Sequence, residues 1–78
     1  MGIQRLDNLS RSEIEFLVDE WIVGKNAERN RKILKRRLLD GVKYEALAEE
    51  FDLSVRQTKN IIYKAEEKLF KVIQKGGR

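Results

Sequence analysis

The segment that most constrains this chain is residues 44–59, YEALAEEFDLSVRQTK, where one helical pattern stops and another begins. Leu47, Ala48 and Phe51 have the spacing expected for the apolar face of a short helix. The small Ala48 leaves room for a second helix to cross closely. Asp52 then tolerates the left-handed backbone conformation that ends a helix. The pattern therefore predicts a short helix followed by a tight turn.

A second helix is predicted to begin directly after this turn. Leu53 is expected to fill the turn, and Ser54 is a strong N-cap residue. Gln57 stands three residues further on, so Ser54 and Gln57 can form a capping box. Two helices joined in this way form a helix-turn-helix, whose second helix can lie in the major groove of DNA.

The length and composition of the chain narrow its class. With 78 residues it is expected to form one small domain. It contains no proline, and no stretch alternates as a strand would, so we predict an all-α fold. It has no cysteine and no histidine, so we predict no disulfide, metal site, cofactor or catalytic residue. No apolar run approaches the roughly 20 residues of a membrane span, and we predict a soluble, cytoplasmic protein without a membrane partner.

Charge is sorted along the chain. Residues 25–43 carry eight basic and two acidic side chains, and residues 54–78 carry seven basic and two acidic ones. Between them, residues 44–53 have four acids and no base, and residues 1–24 have a net charge of −3. Each block alone is typical of a solvated helix face. Two basic blocks around a helix-turn-helix favour a surface that contacts phosphates.

The apolar spacing predicts four helices in a single domain over residues 10–75. The first begins after Ser10 and ends at Gly24, and the second begins at the N-cap Asn26 and ends at Asp40-Gly41. The third covers residues 44–51 and the fourth residues 55–74. Residues 1–9 and 76–78 are predicted to be flexible ends.

From Arg31 to Leu69 the chain resembles region four of bacterial sigma factors, the C-terminal promoter-reading domain, and its sigma-like relatives. The effector domains of LuxR-type response regulators share the same plan but fit less well. The resemblance implies a four-helix, sigma region-four-like DNA-binding domain, of the kind found in small regulators of phages and mobile elements. The residues that match the family pattern are Leu39, Asp40, Gly41, Tyr44, Glu45, Ala46, Leu47, Ala48, Glu49, Ser54, Val55, Lys59, Ile62, Ala65, Lys68 and Leu69.

Three features depart from the family pattern. Thr58 stands where the family usually has a buried valine, which brings a hydroxyl to the helix crossing. Ile61 stands where sigma factors often have a basic residue. No segment corresponds to the sigma domain that grips core polymerase and melts the promoter, so we expect an isolated region-four-like module.

The candidate base-reading residues lie in the first two turns of the fourth helix. Arginine can bind guanine, and glutamine or asparagine can bind adenine, through paired hydrogen bonds worth ~1–3 kcal/mol of discrimination. A valine can touch a thymine methyl group. The alternative for each is ordinary surface polarity, and the capping role of Gln57 leaves that side chain less free. The predicted base-reading residues are Val55, Arg56, Gln57 and Asn60.

The candidate phosphate ligands surround these residues. Arg36 and Arg37 have an alternative structural role, because one of them can pair with Glu45 or Glu49, and Arg37 matches a family arginine. The predicted phosphate ligands are Lys43, Ser54, Lys59, Tyr63, Lys64 and Arg36.

These observations predict a transcriptional regulator that binds double-stranded DNA. RNA polymerase and a second copy of the chain are further candidate partners. Two other functions stay open: a protein-interaction module that docks on RNA polymerase, and an accessory protein of DNA packaging or recombination. Trp21 is predicted to pack in the core beside Leu17 and Leu38, with an exposed anchor for a partner as the alternative.

Overall fold

The computed structural model of this chain describes residues 9–76, and their side chains as far as Ile73. These residues form four helices and no strand, which confirms the all-α prediction for this part of the chain. None of the described helices is long and apolar enough to cross a membrane. The helices are α1 (Arg11–Trp21), α2 (Ala27–Asp40), α3 (Tyr44–Glu50) and α4 (Val55–Gly76).

The predicted flexible ends fall largely outside the described residues. Two positions assigned to them are described and are ordered parts of the fold. Leu9 packs against the hydrophobic core, and Gly76 is the last residue of α4.

The start of α1 follows the predicted capping box. The Ser10 hydroxyl accepts a hydrogen bond from the Glu13 amide at 3.2 Å, and the Glu13 carboxylate accepts one from the Ser10 amide at 2.9 Å. Two amides that the helix leaves without a partner are thereby satisfied. The helix ends at Trp21, earlier than the predicted Gly24, because Ile22 adopts an extended conformation.

Both ends of α2 lie at the predicted residues, Asn26 and Gly41. Gly41 has φ 68° and donates its amide to the Arg37 carbonyl at 3.1 Å, as expected for a glycine that stops a helix. Asn26 occupies the predicted N-cap position, although its side chain makes no capping bond. The reason is its left-handed backbone, with φ 62°, whereas a capping side chain needs an extended one.

The core lies where the four helices meet. Its fully buried members come from every helix, so burying them holds all four helices in one unit. Ala48 and Ala65 are buried as well, and Leu53 packs against the core from the turn. The fully buried aliphatic residues are Val18, Ile33, Leu34, Leu47, Ile62 and Leu69.

Trp21 does not belong to this core, and the prediction that placed it there is wrong. Its side chain is 42% exposed, whereas Ile22 beside it is buried. Helix α1 turns Ile14 and Val18 inward, and Ile22 continues that series at a spacing of four residues. Trp21 therefore falls on the flank of the helix.

Three exposed ion pairs join neighbouring helices. Asp19 of α1 lies 2.8 Å from Lys35 of α2, and Arg11 of α1 reaches Asp40 of α2 at 3.5 Å. Arg36 of α2 binds Glu50 of α3 at 2.8 Å, so the acids predicted to pair with an arginine of α2, Glu45 and Glu49, were the wrong ones. Because these pairs are solvated, each stabilises the fold only slightly.

Candidate nucleic-acid interface

The turn between α3 and α4 is fixed by backbone hydrogen bonds. Asp52 adopts the predicted left-handed conformation, with φ 58°. The Leu53 amide donates to the Ala48 carbonyl at 2.8 Å, which closes the end of α3. Four residues thus separate two helices that pack on each other.

The first turn of α4 is held by the predicted capping box. The Ser54 hydroxyl accepts a hydrogen bond from the Gln57 amide, and the Gln57 side-chain oxygen accepts one from the Ser54 amide, each at 3.0 Å. This bond orients the Gln57 carboxamide and leaves its NH₂ group to face outward as a donor. The Ser54 hydroxyl still has a proton to donate to a phosphate.

Thr58 shows how α4 accommodates a polar residue at the helix crossing. The side chain is fully buried, and its hydroxyl donates to the Ser54 carbonyl at 2.9 Å. Among the described residues, no buried side-chain polar atom is without a partner. The buried hydroxyl of Thr58 is therefore hydrogen-bonded within α4 and does not disturb the packing of the helix.

The outward side of α4 carries the polar residues named from the sequence. Arg56, Asn60 and Lys64 are exposed and follow one another at intervals of four residues, so they lie along one line of the helix. Gln57 is exposed beside them, whereas Val55 is half-buried on the flank. The buried side of the same helix is formed by Thr58, Ile62, Ala65 and Leu69.

The remaining predicted phosphate ligands are not equally available. Lys43 is exposed at the N-cap of α3, and Tyr63 is 52% exposed on α4. Lys59 is half-buried, with its ammonium group 5.5 Å from the centre of the Tyr44 ring. Arg36 is held by Glu50, with hydrogen bonds of 3.0 Å from Nε and 2.8 Å from Nη2, and so is the least available.

Side chains from two other helices pack against the Tyr44 ring, although the sequence did not single out Tyr44 as a site residue. The Arg37 guanidinium lies 4.3 Å from the centre of the Tyr44 ring and donates to the Val42 carbonyl at 3.0 Å. The Tyr63 ring meets the Tyr44 ring edge-on, at 6.1 Å between centres. Residues of α2, α3 and α4 thus meet at one ring, and Arg37 takes the structural role that the sequence left open.

The environment of Tyr44 alters its acidity. Burial raises the pKa of Tyr44 above its ordinary value of 10.0, a hydrogen bond with Tyr63 adds to the rise, and Arg37 opposes it. The folded chain therefore disfavours the Tyr44 phenolate. The stability that the neutral Tyr44 phenol contributes to the fold is fully present below about pH 10 and is lost as the pH rises through the raised pKa.

A titration can test this assignment, because the chain has only two tyrosines. In Tyr63→Phe, tyrosinate absorbance reports Tyr44 alone, and we expect its midpoint to lie above 10.0, since burial is the largest cause of the shift. In the control variant, Tyr44→Phe, the same measurement reports Tyr63. A Tyr44 midpoint equal to that of the chain unfolded in denaturant would contradict the burial of this phenol.

The interactions described for the acidic side chains of α3 do not involve Arg56, Asn60 or Lys64 on the outward line of α4. In α3, Glu45 and Glu49 are exposed and Glu50 is bound to Arg36, and Asp52 is exposed in the turn that follows. Glu66 acts on Tyr44 from α4 and adds to the rise of its pKa. Among the described residues, no group of acids is arranged to hold a metal ion.

Sequence spacing alone could not have revealed the Tyr44 cluster. Lys59 and Tyr63 are four residues apart, which indicates that they share one side of α4. Nothing in the spacing indicates that Tyr44 of another helix packs against both of them.

Comparison with family models, with curated proteins and with solved structures gives no match to this chain.

Proposed function

We propose that this chain binds double-stranded DNA through the first half of α4, which enters the major groove, and that it regulates transcription. The observation that carries the proposal is the outward line of Arg56, Asn60 and Lys64 on a helix whose first turn is fixed by the capping box. A helix with its side chains is ~10–12 Å across, close to the ~12 Å width of the major groove.

Each side chain of the proposed interface has a chemical role. The Arg56 guanidinium can donate two hydrogen bonds to guanine, and the Asn60 carboxamide can pair with adenine. The Gln57 NH₂ group can donate to a base acceptor while its oxygen stays on the cap. Lys43, Lys59 and Lys64 supply positive charge for phosphates on either side of the groove.

Regulation of transcription rests on the resemblance of residues 31–69 to region four of sigma factors. The same module can serve DNA packaging or recombination, and a pull-down with core RNA polymerase separates these cases. Retention of the chain by polymerase supports transcription. DNA binding without retention would favour the accessory role.

Selection of bound sequences from a random duplex pool tests the DNA-binding proposal directly. We expect the selection, carried out at low salt, to enrich a short sequence motif. A pool that remains random, together with no measurable binding to any duplex, would favour the protein-interaction alternative.

Arg56→Ala is expected to change this selection at particular positions. Loss of a paired contact to a base should cost ~1–3 kcal/mol on the selected site and relax the preference at one or two base pairs. The matched control is Lys64→Ala, which should weaken all sequences alike because a phosphate contact carries no sequence information. Uniform weakening by Arg56→Ala would instead identify Arg56 as a phosphate ligand.

A further inference from the structure

The outer flank of α1 carries an apolar surface that the DNA-binding proposal does not use. Phe16 is 62% exposed, and Trp21 is 42% exposed. A shallow groove of about 320 Å³ lies beside Phe16. Leu17 also lines this groove and stands four residues before Trp21, so the indole lies next to the groove on the same side of α1. The groove is lined by Leu9, Ser12, Glu13, Phe16 and Leu17.

The charge on this flank has a single sign. Glu13 lines the groove, and Glu20 follows Phe16 by four residues, on the same side of the helix. Three bases that contact α1 or its end are engaged elsewhere. Arg11 and Lys35 meet Asp40 and Asp19, and Arg31 donates to the Ile22 carbonyl at 2.7 Å. The outer flank is therefore apolar and acidic, and among residues 9–76 no lysine or arginine lines its groove.

Glu20 is informative because its position on α1 is unfavourable for a carboxylate. It lies in the last turn of α1, where the helix dipole disfavours a carboxylate, and that turn contains no basic residue. Among the described residues it makes no ion pair, whereas Asp19 beside it is neutralised by Lys35. A carboxylate in such a place suits a positively charged partner.

We propose that the outer flank of α1, formed by Leu9, Glu13, Phe16, Leu17, Glu20 and Trp21, binds a basic amphipathic helix of a partner protein. The apolar side of such a helix would cover Phe16, Leu17 and Trp21, and its lysines or arginines would face Glu13 and Glu20. A second copy of the chain bound through the same flank is disfavoured, because the same carboxylates of the two copies would face and repel each other. This interaction goes beyond DNA binding and does not depend on it.

The single tryptophan of the chain provides the readout. The probe is a synthetic amphipathic helix of roughly 18 residues, with leucines at helical spacing on one side and lysines on the other. We expect it to shift the Trp21 emission to shorter wavelength in a saturable manner as the indole loses contact with water. A peptide with glutamates in place of the lysines should bind at least roughly tenfold more weakly.

Two pairs of variants locate the binding surface. Phe16→Ala should weaken the lysine peptide by roughly tenfold or more, as loss of an aromatic anchor does. Tyr63→Ala, an equal truncation of an exposed aromatic residue on α4, should leave its affinity unchanged. Glu20→Lys should also weaken it, whereas Glu49→Lys, the same charge change on the acidic helix α3, should not. Phe16 is exposed, so both α1 variants should retain the circular dichroism spectrum of the parent chain.

Several outcomes would overturn the proposal. Equal binding of the two peptides would show that charge plays no part. Equal weakening by Glu49→Lys and Glu20→Lys would show a general attraction to acids. A dimer in analytical ultracentrifugation that Phe16→Ala dissociates would identify a second copy as the occupant.

Discussion

Raising the salt concentration from 50 to 200 mM is expected to weaken DNA binding by roughly 60- to 500-fold, the largest effect anticipated for this chain. Three to five phosphates should be neutralised by the basic side chains around α4, and each releases ~0.9 of a counterion, so the slope of log affinity against log salt should be about −3 to −4.5. The side chains counted for phosphates are Lys43, Lys59 and Lys64, with Arg36 as the fourth, and Arg56 would be the fifth only if it bound a phosphate in place of a base.

The structure moves the expected number of neutralised phosphates toward the lower end of this range, because Arg36 is already bound to Glu50. We therefore expect Arg36→Gln to leave the slope unchanged, whereas Lys64→Gln should make it less steep by about 0.9. Fluorescence anisotropy of a labelled duplex at several salt concentrations measures each slope. A slope near zero for the parent chain, or no binding even at low salt, would refute the DNA-binding proposal.

A second large effect is expected from Ala48→Leu, at the crossing of α3 and α4. Ala48 is buried, and its carbonyl accepts the Leu53 amide that closes the turn. Three additional carbon atoms would force the two helices apart, at a cost of ~1–3 kcal/mol. A domain this small is expected to have a stability near ~5 kcal/mol, so the variant should melt well below the parent chain.

Ala46→Leu is the matched control for this substitution. Ala46 belongs to the same helix but is exposed, so the larger side chain can extend into water. Thermal unfolding followed by circular dichroism should show a large loss for Ala48→Leu and little change for Ala46→Leu. Equal melting temperatures in the two variants would contradict the close crossing of α3 and α4.

The parts of the fold that the sequence predicted correctly depend on neighbouring residues. The capping boxes at Ser10 and Ser54, the left-handed Asp52 and the stop at Gly41 each involve residues within a few positions of one another. Their geometry is set by the local backbone, so residue type and spacing were sufficient to predict it.

The features that the sequence missed depend on how helices are placed relative to one another. Spacing allowed either Trp21 or Ile22 to continue the inward side of α1, and the packing of α1 against its neighbours selected Ile22. The partner of Arg36 likewise depends on the position of α3 beside α2. The same holds for Lys59, which lies over a ring from another helix.

The fixed start of α4 has a consequence for the kinetics of association. The Ser54–Gln57 bonds, the Thr58 hydroxyl bond and the left-handed Asp52 are all present in the unbound chain, so the helix proposed to enter the groove does not need to fold on contact. Encounter with a duplex should then proceed at a rate governed by diffusion and charge, without a slow conformational step. Preferred and unrelated sites should differ mainly in how long the complex survives.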